Sequence, residues 1–218
     1  MNTPFIYLAI FVLLGVFSCS QKKSEDKAVE IASPIKTTDT LSELEREHLL
    51  FRQTYADSVN AGILSDTFKG SARREAKGTI GDAKITINYG SPGVRGRVIW
   101  NGLVSYDQVW VSGSHWATAI HFSKEVRIEN HSVPPGWYGF FTIPGREKWT
   151  LILNKNYDQH LAEEYKQEED LFRLKVNPTV LKDTVQRLTY EIEDLEGNEG
   201  VISLSWAKVR LELPVKDI

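Results

Sequence analysis

The sequence predicts an all-β fold: an antiparallel β-sandwich preceded by one amphipathic helix near the N-terminus. Three observations carry that expectation. Beyond Gly78, apolar and polar residues alternate in short segments, the period of a strand with one face on a core and one in water. Turn signals recur between the segments: Ser91-Pro-Gly93, Asn130-His-Ser132, Pro134-Pro-Gly136, Pro144-Gly145 and Glu196-Gly-Asn-Glu-Gly200. No helical pattern alternates with them, as a parallel sheet would require.

Taken in order, the chain opens with an apolar run from Phe5 to Phe17, too short for a finished membrane span but suited to the core of an export signal. Residues 1–18 are therefore expected to be a signal peptide. The single cysteine, Cys19, follows directly, and Val16-Phe17-Ser18-Cys19 resembles the lipobox of bacterial lipoproteins. Two details depart from that pattern: no Lys or Arg precedes the run, and Phe17 is bulkier than the small residue usual there. A plain secretory signal is the alternative. With Cys19 acylated, two or more chains, each contributing about 0.8 kcal/mol per buried CH₂, hold a protein firmly on a membrane.

Residues 19–39 form the expected tether, polar and with almost nothing to bury. Its Glu25-Asp26 pair resembles signals that send some lipoproteins to the outer face of the outer membrane; solvated linker charge explains it equally well. The expected location is the bacterial cell envelope, lipid-anchored to the outer membrane on its periplasmic or surface side. Residues 40–64 turn helical. Leu41, Leu44, Phe51, Tyr55 and Val59 recur at three- and four-residue spacings, Thr40 and Glu43 make a capping box, and Asn60 and Gly62 supply a stop. Such a stripe needs burial, by default on the body or on another copy.

Residues 70–216 are the expected sandwich domain. Ile85, Ile87 and Tyr89 alternate with polar neighbours, as do Phe172, Leu174 and Val176, and Val209, Leu211 and Leu213. The clearest pair is Leu188, Tyr190, Ile192 against Ile202, Leu204, Trp206, expected to form an antiparallel hairpin with all six side chains on the core. Residues 154–170 are a charged excursion, long enough to be functional or ordered by a short helix of its own.

Composition narrows the function. The chain has 218 residues, 41% hydrophobic and 25% charged, with net charge −3. That near-neutral balance argues against nucleic acid, whose binders concentrate a basic face. One cysteine excludes a disulfide framework and a Cys-based zinc site.

The densest segments are Tyr89–Phe122 and Pro134–Asp158. They contain Pro92, Gly96-Arg97, Gly102-Leu-Val-Ser-Tyr106, Val109-Trp110, Gly113, Ala117-Thr118, Tyr138, Phe141-Thr-Ile-Pro-Gly145 and Trp149-Thr150. In that order they closely resemble the bacterial family known as domain of unknown function 2911, over about Gly70 to Pro214. Ser105, Val111 and His115-Trp116 depart from its usual residues. The resemblance implies an extracytoplasmic β-sandwich with no established activity.

Chemistry is sparse. Gly90, Gly93 and Gly96 with Arg95 and Arg97 have the makings of an anion cradle, but without the lysine or following helix of a P-loop they equally describe a tight turn. His115 and His121 share parity on one expected strand, with His131 and Asp107 nearby. On a straight strand they stand ~20 Å apart, too far for one ion, so no metal or other cofactor is expected. Ser114-His115 is no catalytic pair, since strand neighbours face apart, and no nucleophile elbow or zinc-helix motif is present. The carboxylates Glu163, Glu164, Glu168, Glu169 and Asp170 suit a solvated face. No catalytic residue is assigned.

Most of the six tryptophans belong in a core; Trp116, Trp137 and Tyr138 are the aromatics nearest a surface. The expected ligand site gathers Arg97, Tyr106, Asp107, His115 and Trp116 in one concavity suited to a glycan or peptide. The alternative is an enzyme acting on an envelope saccharide or small molecule through Tyr106, Asp107, Arg97, His115 or His121. Beyond the membrane no partner is fixed, and oligomeric state stays open.

Overall fold

A computed structural model describes residues 42–218. The apolar run, Cys19, the tether and the Thr40 cap lie outside the described residues. Ten strands follow one helix, α1 (Glu43–Asn60). The first sheet has six strands in the order β1 (Ala72–Ile80), β2 (Ala83–Ser91), β3 (Thr118–Phe122), β6 (Gly136–Ile143), β7 (Trp149–Asn154) and β8 (Asp170–Val176). The second has four: β5 (His131–Val133), β4 (Val126–Ile128), β10 (Glu199–Asp217) and β9 (Thr179–Asp194). Neighbours in both sheets are antiparallel.

The expected hairpin is present. Ile202 lies opposite Ile192 and Leu204 opposite Tyr190. Leu188, Tyr190, Ile202, Leu204 and Trp206 are buried, and half-buried Ile192 rests over Gly78 of the facing sheet. A two-residue bend at Gly197 and Asn198, both at positive φ, reverses the chain where such turns favour glycine and asparagine.

At the hairpin's far end the register shifts around Trp206. There β9 turns to the first sheet: Val94 donates its N–H to Gln186 and Leu188 to Pro92. Four tryptophans close that end, with Trp100 edge-on to Trp110, Trp149 and Trp206 at 5.7, 4.7 and 5.6 Å. Edge-to-face pairs place the positive rim of one ring on the negative face of the next.

Within the described residues the helix spans Glu43–Asn60. It stops where expected: Gly62 takes φ +73, Ile63 N–H reaches Ser58 O at 2.9 Å, and Gly62 N–H reaches Val59 O. Among its described side chains Ala56 and Val59 are fully buried, while Leu44 and Phe51 face solvent. Polar contacts tie it to the body. Asn60 pairs with the backbone of Arg187 as donor and acceptor, Arg74 reaches Asp57 and Thr189, and Gln53 donates to Glu75 O. Among the described residues no helix is long and apolar enough to cross a membrane.

Candidate ligand-binding face

The inner face of the six-stranded sheet meets the second sheet; the outer face is where polar groups gather. Register defines that outer face, because directly opposed residues share a side. One row runs Lys77, Thr86, His121, Trp137. The next runs Glu75, Asn88, Ala119, Gly139, Asn154. Beyond it Arg73 stands opposite Gly90. Two loops lie across the small residues: Gly90 is backed by Ser114 and Gly139 by Asn156 and Tyr157 so closely that a methyl group would collide.

Where the loops do not reach, the face is open. A concavity of about 700 Å³ is lined by Lys77, Thr79, Lys84, Thr86, His121, Ser123 and Trp137. The half-buried Trp137 ring lies 4.9 Å from His121 and 6.0 Å from Tyr157. Partial burial lowers the pKa of His121 below the usual imidazole value, so at neutral pH it offers one donor and one acceptor. Lys77 pairs with Glu75 at 3.1 Å, and Ser123 Oγ accepts from the Lys84 N–H. An indole face beside hydroxyls, an uncharged imidazole and two ammonium groups offers a stacking surface and hydrogen-bonding groups.

Under the loops the face is enclosed. Arg73 Nε, Nη1 and Nη2 are shielded from solvent and no protein group bonds them; the same holds for Asn88 Nδ2, Ser114 Oγ and Gln159 Oε1. Burial pulls the Arg73 pKa down to about 10, against the upward pull of Asp158.

The five residues singled out from sequence occupy three places. Arg97 is exposed and closes its own turn, donating from Nη2 to Gly93 O and from Nε to Val94 O at 3.2 Å. Tyr106 is half-buried under the Arg146 guanidinium at 5.4 Å, and exposed Asp107 donates its N–H to Pro144 O. His115 and Trp116 flank His160, with ring centroids at 6.5 and 5.6 Å. Two of the three cradle glycines are packed, Gly93 by Asp66 and Arg187 and Gly90 by Ser114, while Gly96 takes φ +69 in an open turn.

His115 does not share a strand with His121. It sits at φ 64 in the loop before β3, and His131 stacks on Phe172 at 5.0 Å. Tyr138, expected near the surface, is buried and donates to Pro134 O; its neighbour Trp137 faces out. Residues 154–170 are a loop ordered by a 3-10 turn, Gln167–Glu169, and by Asp170, which accepts from Tyr165, Arg173 and Asn154. Lys77, Arg73, Asn88 and Gln159 carried no motif and were missed.

A second concavity, of about 310 Å³, lies between α1 and β1 and is almost wholly apolar, lined among others by Phe51, Tyr55 and Phe68. Its one guanidinium, Arg187, is already bonded to Asp66, Phe68 O, Gly70 O and Ser91 O. Of the two, the outer sheet face has the chemistry of a ligand site.

The model of one family, described as Protein of unknown function (DUF2911), matches residues 71–215. No curated protein matches this chain, and no solved structure does.

Proposed function

The chain belongs to that family, whose description assigns no activity, and we propose that it is a lipid-anchored, extracytoplasmic binding module that holds a saccharide of the cell envelope. The observation that carries the reading is the Trp137 ring, set between His121 and Tyr157 at the edge of an open, hydroxyl-rich concavity. Sugars present apolar C–H faces that stack on indole and hydroxyl edges that exchange hydrogen bonds. Thr86, Ser123 and neutral His121 are suited to those edges. The lipobox-like Val16-Phe17-Ser18-Cys19 supports an envelope location. This reading moves the stacking residue from Trp116, which packs against His160, to Trp137.

The test is calorimetric titration of the full chain with soluble fragments of envelope glycans. Trp137→Ala should weaken binding by ~1–3 kcal/mol, the usual cost of an aromatic contact at the centre of a site, while the melting temperature barely moves. Trp116→Ala should leave affinity unchanged. Equal affinity in parent and Trp137→Ala, or no saccharide binding in either, refutes the proposal.

A further inference from the structure

Independently of the open concavity, the enclosed half of the outer face has the wrong charge balance for a finished interior. Arg73 brings one positive charge and five N–H groups into a place where no protein acceptor meets them. Burying an unpaired charge is among the costliest arrangements in a protein, and arginine is not normally relieved by losing its proton. The neighbouring Arg74 and Arg187, each 1% exposed, are the controls within this fold, because both reach carboxylates.

The groups around Arg73 are also incompletely bonded. Ser114 Oγ occupies the space over Gly90, the residue directly opposite Arg73, at 2.4 Å from where a β-carbon would stand. Asn88 is the next outward residue on β2, with Nδ2 unbonded. Gln159 donates to Asn156 O, which lies over Gly139, while its own Oε1 has no donor. Gly139, Ala119 and Asn88 form one cross-strand row, so these groups belong to a single patch.

We propose that this patch is a binding site for the carboxylate of a small organic acid, held by Arg73 and Asn88 beneath the loops carrying Ser114 and Gln159. The guanidinium fork matches a planar carboxylate, and Asn88 Nδ2 adds a further donor. A single negative charge suits it better than a phosphate dianion, because Asp158 already acts on Arg73 through space without taking any of its N–H groups. Ser114 Oγ and Gln159 Oε1 accept from hydroxyls on the rest of the acid. The roof is held here by two backbone hydrogen bonds, Ala117 N–H to Gln159 O and Leu161 N–H to His115 O, and lifting the second loop gives entry.

The experiment is thermal unfolding of the full chain with rising acetate at fixed ionic strength. The parent should gain melting temperature in proportion to the logarithm of acetate once the site begins to fill. Arg73→Met should lose that response and, without acetate, melt at or above the parent, because the unpaired charge is gone. A parent that ignores acetate, a variant that responds equally, or a stronger response to inorganic phosphate than to acetate overturns the proposal. So does a variant that melts lower while acetate acts on neither protein, the outcome of a purely structural Arg73. Should Arg73→Met fail to fold, a crystal structure of the parent grown in acetate decides. A carboxylate on the guanidinium supports the site, and ordered water alone removes it.

Discussion

Arg73 and Arg74 are adjacent in sequence and opposite in circumstance. Strand parity sends them to opposite faces, and only Arg74 meets a carboxylate, Asp57, with Tyr89 beneath it at 5.7 Å. Arg187 is bound more completely still, to Asp66 and three carbonyls. Arg187→Ala should therefore destabilise the protein by ~3–5 kcal/mol, since it leaves the buried Asp66 unpaired; urea unfolding measures it, and a loss under 1 kcal/mol (roughly that of a surface ion pair) would show the contact to be dispensable. The phenols give a second expectation. Burial raises the pKa of Tyr89, Tyr138, Tyr165 and Tyr190, with Tyr165 near 12 and helped by Asp170. A folded pKa above the unfolded one gives stability that is complete below pH ~10 and lost as pH rises toward 12. Ultraviolet titration should find the phenol ionisation of the native protein displaced to higher pH than in urea, with Tyr165 still largely protonated at pH ~11; identical curves would contradict their burial. Sequence alone could not distinguish the roles of Arg73, Arg74 and Arg97. The glycines around Arg97 drew attention to a residue that closes its own turn, whereas Arg73 lies in an ordinary strand without a motif.

The elements divide by how many of their faces are covered. Leu188–Ile192 and Ile202–Trp206 were legible because one side of each carries large apolar groups in strict alternation. Strands β3, β6 and β7 were not individually legible, because loops cover their outer faces and both parities become apolar or small: Ala119, Gly139 and Phe141 outside, Ile120, Tyr138 and Phe140 inside. The helix was half legible. Its glycine stop has a local cause, but its docking through Asn60, Gln53 and Asp57 depends on partners far along the chain. Gly139 gives the element-scale test. A side chain there would come within 2.7 Å of Asn156 O, a backbone atom that yields only if the loop moves. Gly139→Val should lose ~1–3 kcal/mol, as overpacked sites do, and increase amide exchange in residues 155–161. Unchanged exchange and stability would mean that the loop does not rest on the sheet as described.

At the scale of the whole molecule, the fold explains how a small apolar core can support a chemically varied outer face. The second sheet and the tryptophan cluster close the inner side, while on the outer side of the first sheet a smaller apolar cluster around Phe141 and Ile152 lies beside the polar groups. Among the described residues the core draws on side chains from Ala56 onward. The proposed anchor and the body should separate cleanly in a variant. Cys19 is the only thiol in the chain and hence the only candidate for a thioether-linked lipid. Cys19→Ser should move the protein from the membrane fraction to the soluble one, or leave it unprocessed at higher mass, because stable attachment depends on the acyl chains. Its melting temperature and its saccharide affinity should match those of the parent. Unchanged fractionation together with unchanged mature mass would remove the lipid anchor; loss of folding in the soluble variant would instead show that the N-terminal segment is part of the body.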